Sequence, residues 1–390
     1  MITRVQVKNY RSLADVDVRL GPLTVLVGRN GTGKSAFLDV LRFVRDAIQQ
    51  GLESAINERQ GITAIRRWTP RKPCDVEITL TVEGDNFHTT YSFVISSGRQ
   101  GSYRVKRESF VGKDREGNVE EFETKDGKWI IMPPYIKETS LSGFPFVKPA
   151  ALVLPSVSLF LRNAFLLLEG IEGSFYNIIP DKLREPQKPS DERRLMDDGS
   201  NLASILRRIK ESRMWFPTLL TALGKVSEGV NGLRVSRIGG YLVTELRHEN
   251  IGKKPDANNN APWFPLAQES DGTLRMLAML VALYQSEPPY AQTLLGLEEP
   301  ENALHPGALA VLSDVFREAA LRNQIIITTQ SPDLISHFTV DELRIVEIAQ
   351  GVTKIGPIDE TQREIIEEEL FSASDLLRIQ DLRREPVEAR

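Results

Sequence analysis

Cysteine occurs once in the 390 residues, at Cys74, so no disulfide can close within the chain. Histidine is nearly as scarce, at four, which argues against a structural zinc site. Long apolar runs are missing too. The longest apolar helix candidate, near Leu274 to Tyr284, is short and interrupted by Arg275, so no bilayer span and no membrane partner are expected. The opening Met1-Ile-Thr-Arg-Val-Gln-Val-Lys8 alternates like a strand and lacks a signal-peptide apolar block, which points to a cytoplasmic protein. Nor is there excess positive charge. A formal net charge of −4 excludes a protein that coats nucleic acid over its whole surface and leaves room for local basic patches only. No heptad pattern persists, so a long coiled-coil arm is not expected, and no internal repeat is visible. What is present, 41% hydrophobic and 26% charged residues, describes a globular protein of two or three lobes.

One stretch organises the rest. Gly28-Arg-Asn-Gly-Thr-Gly-Lys-Ser35 fits the phosphate-binding loop G-x-x-x-x-G-K-[ST]. Leu23 to Val27 before it reads as a buried parallel strand. Phe37, Leu38, Leu41 and Val44 after it lie at helical spacing. The chemistry needs this order. Asn30, Gly31, Thr32 and Gly33 can turn backbone N–H groups toward phosphates, and the following helix adds its positive dipole end. Lys34 can reach the β- and γ-phosphates, and the Ser35 hydroxyl can join a Mg²⁺ shell.

Two strands around the turn Asn9 to Ser12 precede the loop's own strand, and a basic, proline-bearing segment follows at 62–74. The period then changes to two. Val76, Ile78, Leu80 and Val82 alternate with polar residues, and runs at 87–95, 103–110, 119–124 and 129–132 continue an antiparallel meander. Residues 156–230 turn helical, with Asn201 placed to cap the helix from Leu202. Val235 to Leu246 reads as strand and 255–265 as loop. Parallel-strand character returns at Thr293 to Leu297 and Gln324 to Thr328, with a helix from Pro306 between them. Leu343 to Ile348 and Val352 to Ile355 form a hairpin before a charged helical tail.

A phosphate loop needs a second strand that ends in carboxylates. Leu294-Leu-Gly-Leu-Glu-Glu-Pro300 supplies it, with Glu298 placed to orient a water of the Mg²⁺ shell and Glu299 to polarise the attacking water. Ser270 opens an apolar helix with Gly272, an N-terminus that can offer a hydroxyl and N–H groups to an anion, or can simply cap a core helix.

These motifs resemble the ABC-type ATPase heads of the SMC, RecF and OLD-like group. Val5 to Leu13 looks like the group's first strand and turn, and Glu299-Pro-Glu-Asn-Ala-Leu-His-Pro306 like its glutamate and D-loop run. Thr328-Thr-Gln-Ser-Pro-Asp333 resembles the switch region, and Ser270-Asp-Gly-Thr-Leu-Arg275 the ABC signature. The resemblance implies an α/β P-loop ABC-type head, a mixed sheet with flanking helices plus an antiparallel β meander, carrying an inserted helical lobe. Expected boundaries are 1–60 with 261–360 for the head, 61–135 for its β subdomain, 136–260 for the inserted lobe and 361–390 for the tail. It also implies ATP and Mg²⁺, and a homodimer formed around ATP in which Ser270 and Gly272 act across to the partner's γ-phosphate.

Three positions depart from the group's pattern. Glu298 stands where Asp is common, Gln330 where the switch residue is usually His, and Glu269 where a leucine usually precedes the signature serine. A neutral amide can hydrogen-bond a γ-phosphate but cannot be protonated as imidazole can. DNA repair and anti-phage defence are the settings implied, with DNA contacts expected through basic stretches at 59–72 (Arg59, Arg66, Arg67, Arg71, Lys72 and Trp68) and 99–107 (Arg99, Arg104, Lys106, Arg107). A toprim nuclease domain is not expected, so any nuclease or other effector would be a separate polypeptide. The rival readings are a nucleotide-dependent switch or scaffold with little turnover, and, with less in its favour, the ATPase subunit of a transporter.

Overall fold

The computed structural model describes residues 1–70, 73–98, 101–133, 148–211, 215–227, 229–249, 262–285 and 293–385. In chain order the strands are β1 (Ile2–Tyr10), β2 (Leu13–Arg19), β3 (Leu23–Val27), β4 (Val76–Gly84), β5 (Phe87–Ser97), β6 (Tyr103–Asp114), β7 (Val119–Lys125), β8 (Lys128–Ile131), β9 (Gly173–Tyr176), β10 (Val230–Ile238), β11 (Tyr241–His248), β12 (Trp263–Pro265), β13 (Leu294–Glu298), β14 (Gln324–Thr329), β15 (Leu343–Ala349) and β16 (Val352–Gly356). The helices are α1 (Lys34–Gln49), α2 (Leu52–Glu58), α3 (Ile62–Ile65), α4 (Leu154–Val157), α5 (Arg162–Ile171), α6 (Pro180–Arg184), α7 (Leu202–Glu211), α8 (Trp215–Val226), α9 (Asp271–Tyr284), α10 (Pro306–Ala320), α11 (Pro332–Ile335), α12 (Glu360–Glu367) and α13 (Ala373–Ile379). They group into two compact units, Met1–Gly173 with Ala291–Leu294 and Thr339–Arg390, and Ser174–Tyr290 with Leu295–Phe338.

In the first unit the strands run side by side as β8-β7-β6-β5-β4-β1-β2-β16-β15-β3. The meander β4 to β8 is antiparallel throughout, as period-two patterning requires. At the other end β16 runs parallel to β2 and β15 parallel to β3, so both termini of the chain build one mixed sheet. Strand β3 is buried along its whole length, which is why it reads as a mainly apolar run. The inward residues of β1, β4 and β5 meet α1 in an aromatic core, with Tyr10 and Phe93 on either side of Phe43 at 5.7 and 6.5 Å.

Arg59 is not part of a basic surface. It is 8% exposed and is held by Asp39 and Asp46 at 3.0 Å each, while the Tyr10 hydroxyl donates to Asp39 at 2.6 Å. A buried guanidinium needs this pairing, and the carboxylates come from the helix after the phosphate loop. On the meander Lys106 pairs with Asp75 at 2.8 Å and Arg107 with Glu123 at 2.9 Å, distances of charge-assisted bonds. Arg66, Arg67 and the 79% exposed Trp68 remain near the surface. Arg71, Lys72 and Arg99 lie outside the described residues, as does most of the loop expected at 255–265, whose last residues form β12.

In the second unit β14, β13 and β9 are neighbours in strand order, and β10-β11-β12 form an antiparallel three-stranded sheet. Strand β9 interrupts the stretch expected to be helical; its four residues are all buried. The Asn201 side chain precedes α7. It turns back to accept from Met196 N–H at 2.8 Å and to donate to the Arg194 carbonyl, fixing the preceding loop.

Two buried glutamates fasten helices to the meander. Glu108 on β6 accepts from Val153 N–H, Leu154 N–H and the Tyr91 hydroxyl at 2.6, 2.8 and 2.9 Å. Glu120 on β7 likewise accepts from Arg162 N–H and Asn163 N–H, where α5 begins. Burial nonetheless pushes the Glu108 carboxyl up to about 7 from the usual 4.5, so the folded chain retains a proton there that the unfolded chain has released. Its contribution to stability is complete below pH 4.5 and is lost as pH rises through 7. The shift is worth on the order of 3 kcal/mol. Denaturant unfolding at pH 5 and pH 8 is therefore expected to show a fall in stability that Glu108→Gln flattens; an unchanged slope in the variant would remove Glu108 as its source.

Candidate nucleotide site

The phosphate loop leaves β3 at Val27 and enters α1 through Gly33, whose φ of 107° lies in the left-handed region. That conformation aims the loop into the helix start, and the surroundings forbid a side chain. A Cβ on Gly33 would lie 2.4 Å from Thr353 Oγ1 and 2.9 Å from Ser12 Oγ. The Thr353 hydroxyl donates to the Thr32 carbonyl at 2.7 Å, and Thr32 Oγ1 donates to the Arg29 carbonyl at 2.9 Å. Strand β16 and the β1–β2 turn thus press the loop into shape. Lys34 is 5% exposed, and its Nζ donates to the Gly28 and Arg29 carbonyls at 2.7 and 3.0 Å. Arg29, Asn30, Gly31 and Ser35 are exposed on the loop and first helical turn. Arg29 is bound by Asp381 of the tail at 2.8 and 2.9 Å.

These residues fit a polyphosphate. The first turn of α1 carries no acidic residue, so its dipole end is open to an anion, and Lys34 supplies the one cation at the helix start. Among the described residues no cluster of His, Cys, Asp or Glu forms a cage for a metal ion. Mg²⁺ held mainly by phosphate oxygens and water requires no such cage.

The carboxylate strand belongs to the second unit. Leu294, Leu295 and Leu297 are buried and Glu298 is half-buried at the strand's end. Glu299 then takes a φ of 44°, uncommon for a residue with a side chain, and its N–H donates to the Thr328 carbonyl at 2.9 Å. Asn302 Nδ2 donates to Glu299 Oε2 at 3.0 Å. Gln330 is exposed immediately after β14. Between them sits Glu301, whose carboxylate accepts the Thr329 hydroxyl. Neither Glu301 nor Thr329 was singled out from sequence; the repeated acid in Glu298-Glu-Pro-Glu301 was the available signal.

Ser270 caps α9, its hydroxyl accepting from Thr273 N–H at 3.1 Å. Gly272 lies against the Ala303 carbonyl, 2.3 Å from where a Cβ would sit, so the start of α9 packs on the residues that follow Glu299. Two acids flank the cap and both are paired. His248 bonds Glu269 at 2.8 Å, and Arg184 bridges Asp181, Asp271 and the Glu269 carbonyl. Arg184 compensates the charge that Asp271 brings to this helix end, a role the sequence pattern could not reveal because α6 lies far away in the chain.

A family model described as "AAA domain, putative AbiEii toxin, Type IV TA system" matches residues 23–336. The chain belongs to this family. Among curated proteins it resembles the OLD nuclease of Thermus scotoductus, at 46% identity over 54 residues, which is 14% of this chain and 10% of that protein. The shared stretch thus spans about a tenth of that relative's length. Among solved structures it resembles the SmcHead bound to the C-winged helix domain of ScpA, with a TM-score of 0.53 at 13% identity over 93% of this chain and 99% of the other. The Smc head with extended coiled coil bound to the C-terminal domain of ScpA from Pyrococcus furiosus gives 0.52 at 13% identity, over 95% and 99%. The fold is that of an SMC-type ABC ATPase head. Among the described residues no helix is long and apolar enough to cross a membrane.

Gly33→Ala is expected to abolish measurable ATP binding in a fluorescence titration and to lower the melting temperature, because Thr353 and Ser12 must move. Retained affinity would show that the loop is not the phosphate cradle.

Proposed function

We propose that this family member binds ATP with Mg²⁺ and hydrolyses it, that two copies close around two nucleotides, and that closure acts on DNA or on a separate effector in DNA repair or anti-phage defence. The observation that carries the reading is the phosphate loop, a left-handed Gly33 with no space for a side chain at the start of a helix whose first residue is Lys34. The name of the OLD nuclease relative and the SMC heads' crystallised ScpA partners support work with nucleic acid or a second protein. The same reading assigns 1–60 and 261–360 to the head, 61–135 to its β subdomain, 136–260 to the inserted lobe and 361–390 to the tail.

Lys34 and the N–H groups of Asn30 to Ser35 bind and orient the phosphates, which sets the γ-phosphate in line for attack. Ser35 and Glu298 hold the metal ion, directly or through water. When bound, Mg²⁺ neutralises charge on the phosphate oxygens. Glu299 accepts a hydrogen bond from the attacking water and increases its nucleophilicity. Gln330 donates its amide N–H to the γ-phosphate. Ser270 and Gly272 of the second copy offer a hydroxyl and N–H groups to the same group, so each site is completed in trans.

Gln330 favours a second reading, a switch that closes on ATP with little turnover, because an amide cannot take up the proton an imidazole would. Steady-state turnover of wild type and Glu299→Gln, each with and without duplex DNA, separates the two. Wild-type turnover, at least about 100-fold slower in Glu299→Gln and raised by duplex DNA, is expected. Equal rates in the two proteins would refute the role given to Glu299, and ATP-dependent dimers with neither turnover nor a DNA effect would leave the switch.

A further inference from the structure

We propose that Glu301 is a positioning residue that ties Glu299 to the end of the switch strand, so that the catalytic carboxylate and Gln330 move as one body. Its kinetic consequence rests on the ATPase reading above; the tie itself stands on contacts inside the second unit. The Glu299 N–H donates to the Thr328 carbonyl at 2.9 Å. Two residues on, the Glu301 carboxylate accepts the hydroxyl of Thr329. The oxygen of that hydroxyl in turn accepts the Ser331 N–H at 3.0 Å. Residues 299 and 301 therefore grip 328 and 329, and Thr329 holds the far side of Gln330 through Ser331.

The strap is anchored at its other end as well. Asn302 Nδ2 holds Glu299 Oε2, and the Ala303 carbonyl lies against Gly272 at the start of α9. Switch strand, catalytic acid and signature helix are thus joined by five residues. Within them Glu299 and Ala303 adopt φ values of 44° and 65°. Such backbone persists only where the surroundings impose it, and the Glu301–Thr329 bond lies between the two positions. The other Glu301 oxygen, Oε2, is buried and has no hydrogen-bond partner among the described residues. Desolvation raises its pKa, which suits a carboxyl group retained for geometry rather than for exposed charge.

Glu301→Ala, Glu301→Gln, Thr329→Val and the Glu301→Ala/Thr329→Val double variant test this. Hydrogen exchange at the Glu299 and Ser331 amides is expected to quicken about tenfold in Glu301→Ala, which corresponds to losing one hydrogen bond. ATP affinity should stay within twofold of wild type while kcat falls at least tenfold. Glu301→Gln keeps an acceptor for Thr329 and should restore most of kcat, and the double variant should be no worse than Thr329→Val alone. Wild-type exchange in Glu301→Ala, fully additive kcat losses, or a loss of ATP affinity equal to the loss in kcat would overturn the proposal. If the wild type itself shows no turnover, the ATPase reading fails, and exchange at these two amides alone decides whether the tie exists.

Discussion

A carbonyl, a hydroxyl and a missing side chain set the geometry on which the phosphate loop depends. Thr353 reaches from a strand 321 residues away to bond the Thr32 carbonyl, and the same hydroxyl fills the space a side chain on Gly33 would need. The loop cannot take its phosphate-binding shape from local preference alone, because a run of flexible glycines has too many alternatives. Strand β16 and the β1–β2 turn, far apart in sequence, both press on it.

The second unit meets an analogous demand with side chains. Glu299 adopts a backbone conformation that costs energy, and hydrogen bonds to β14 and a close approach to α9 hold it there. Each acid near the cap of α9 has a partner: Glu269 is hydrogen-bonded to His248 and Asp271 is paired with Arg184. Gln330 follows β14 as an exposed neutral donor, which keeps the switch position capable of hydrogen bonding at any pH near neutrality.

Much of this was legible in the residue order. The short, mainly apolar runs at Leu23 to Val27 and Gln324 to Thr328 are buried strands, the alternation from Val76 onward is a meander, and the signature serine does cap its helix. Other features had no local signal. The register of β5 against β6 shifts between Val94 and Ile95, so Lys106 and Arg107 both face outward and Glu108 turns into the core in phase with Phe110. Strict alternation cannot anticipate that slip. Arg59 looked like part of a basic stretch because sequence shows its neighbours Arg66 and Arg67, whereas its partners Asp39 and Asp46 arrive from α1. Thr353, Arg184 and Thr329 are ordinary polar residues until the fold brings their partners to them.

The central claim is that each phosphate loop is half of a site completed by Ser270 of a second copy. Sedimentation of the Glu299→Gln protein with Mg²⁺ and ATP, compared with the same protein also carrying Ser270→Arg, tests it most directly. The account predicts dimers in the first case and monomers in the second, with ATP affinity of the monomer unchanged because the loop that binds it is intact. Dimers of equal stability in both, or a monomer that loses ATP when Ser270 is replaced, would contradict it.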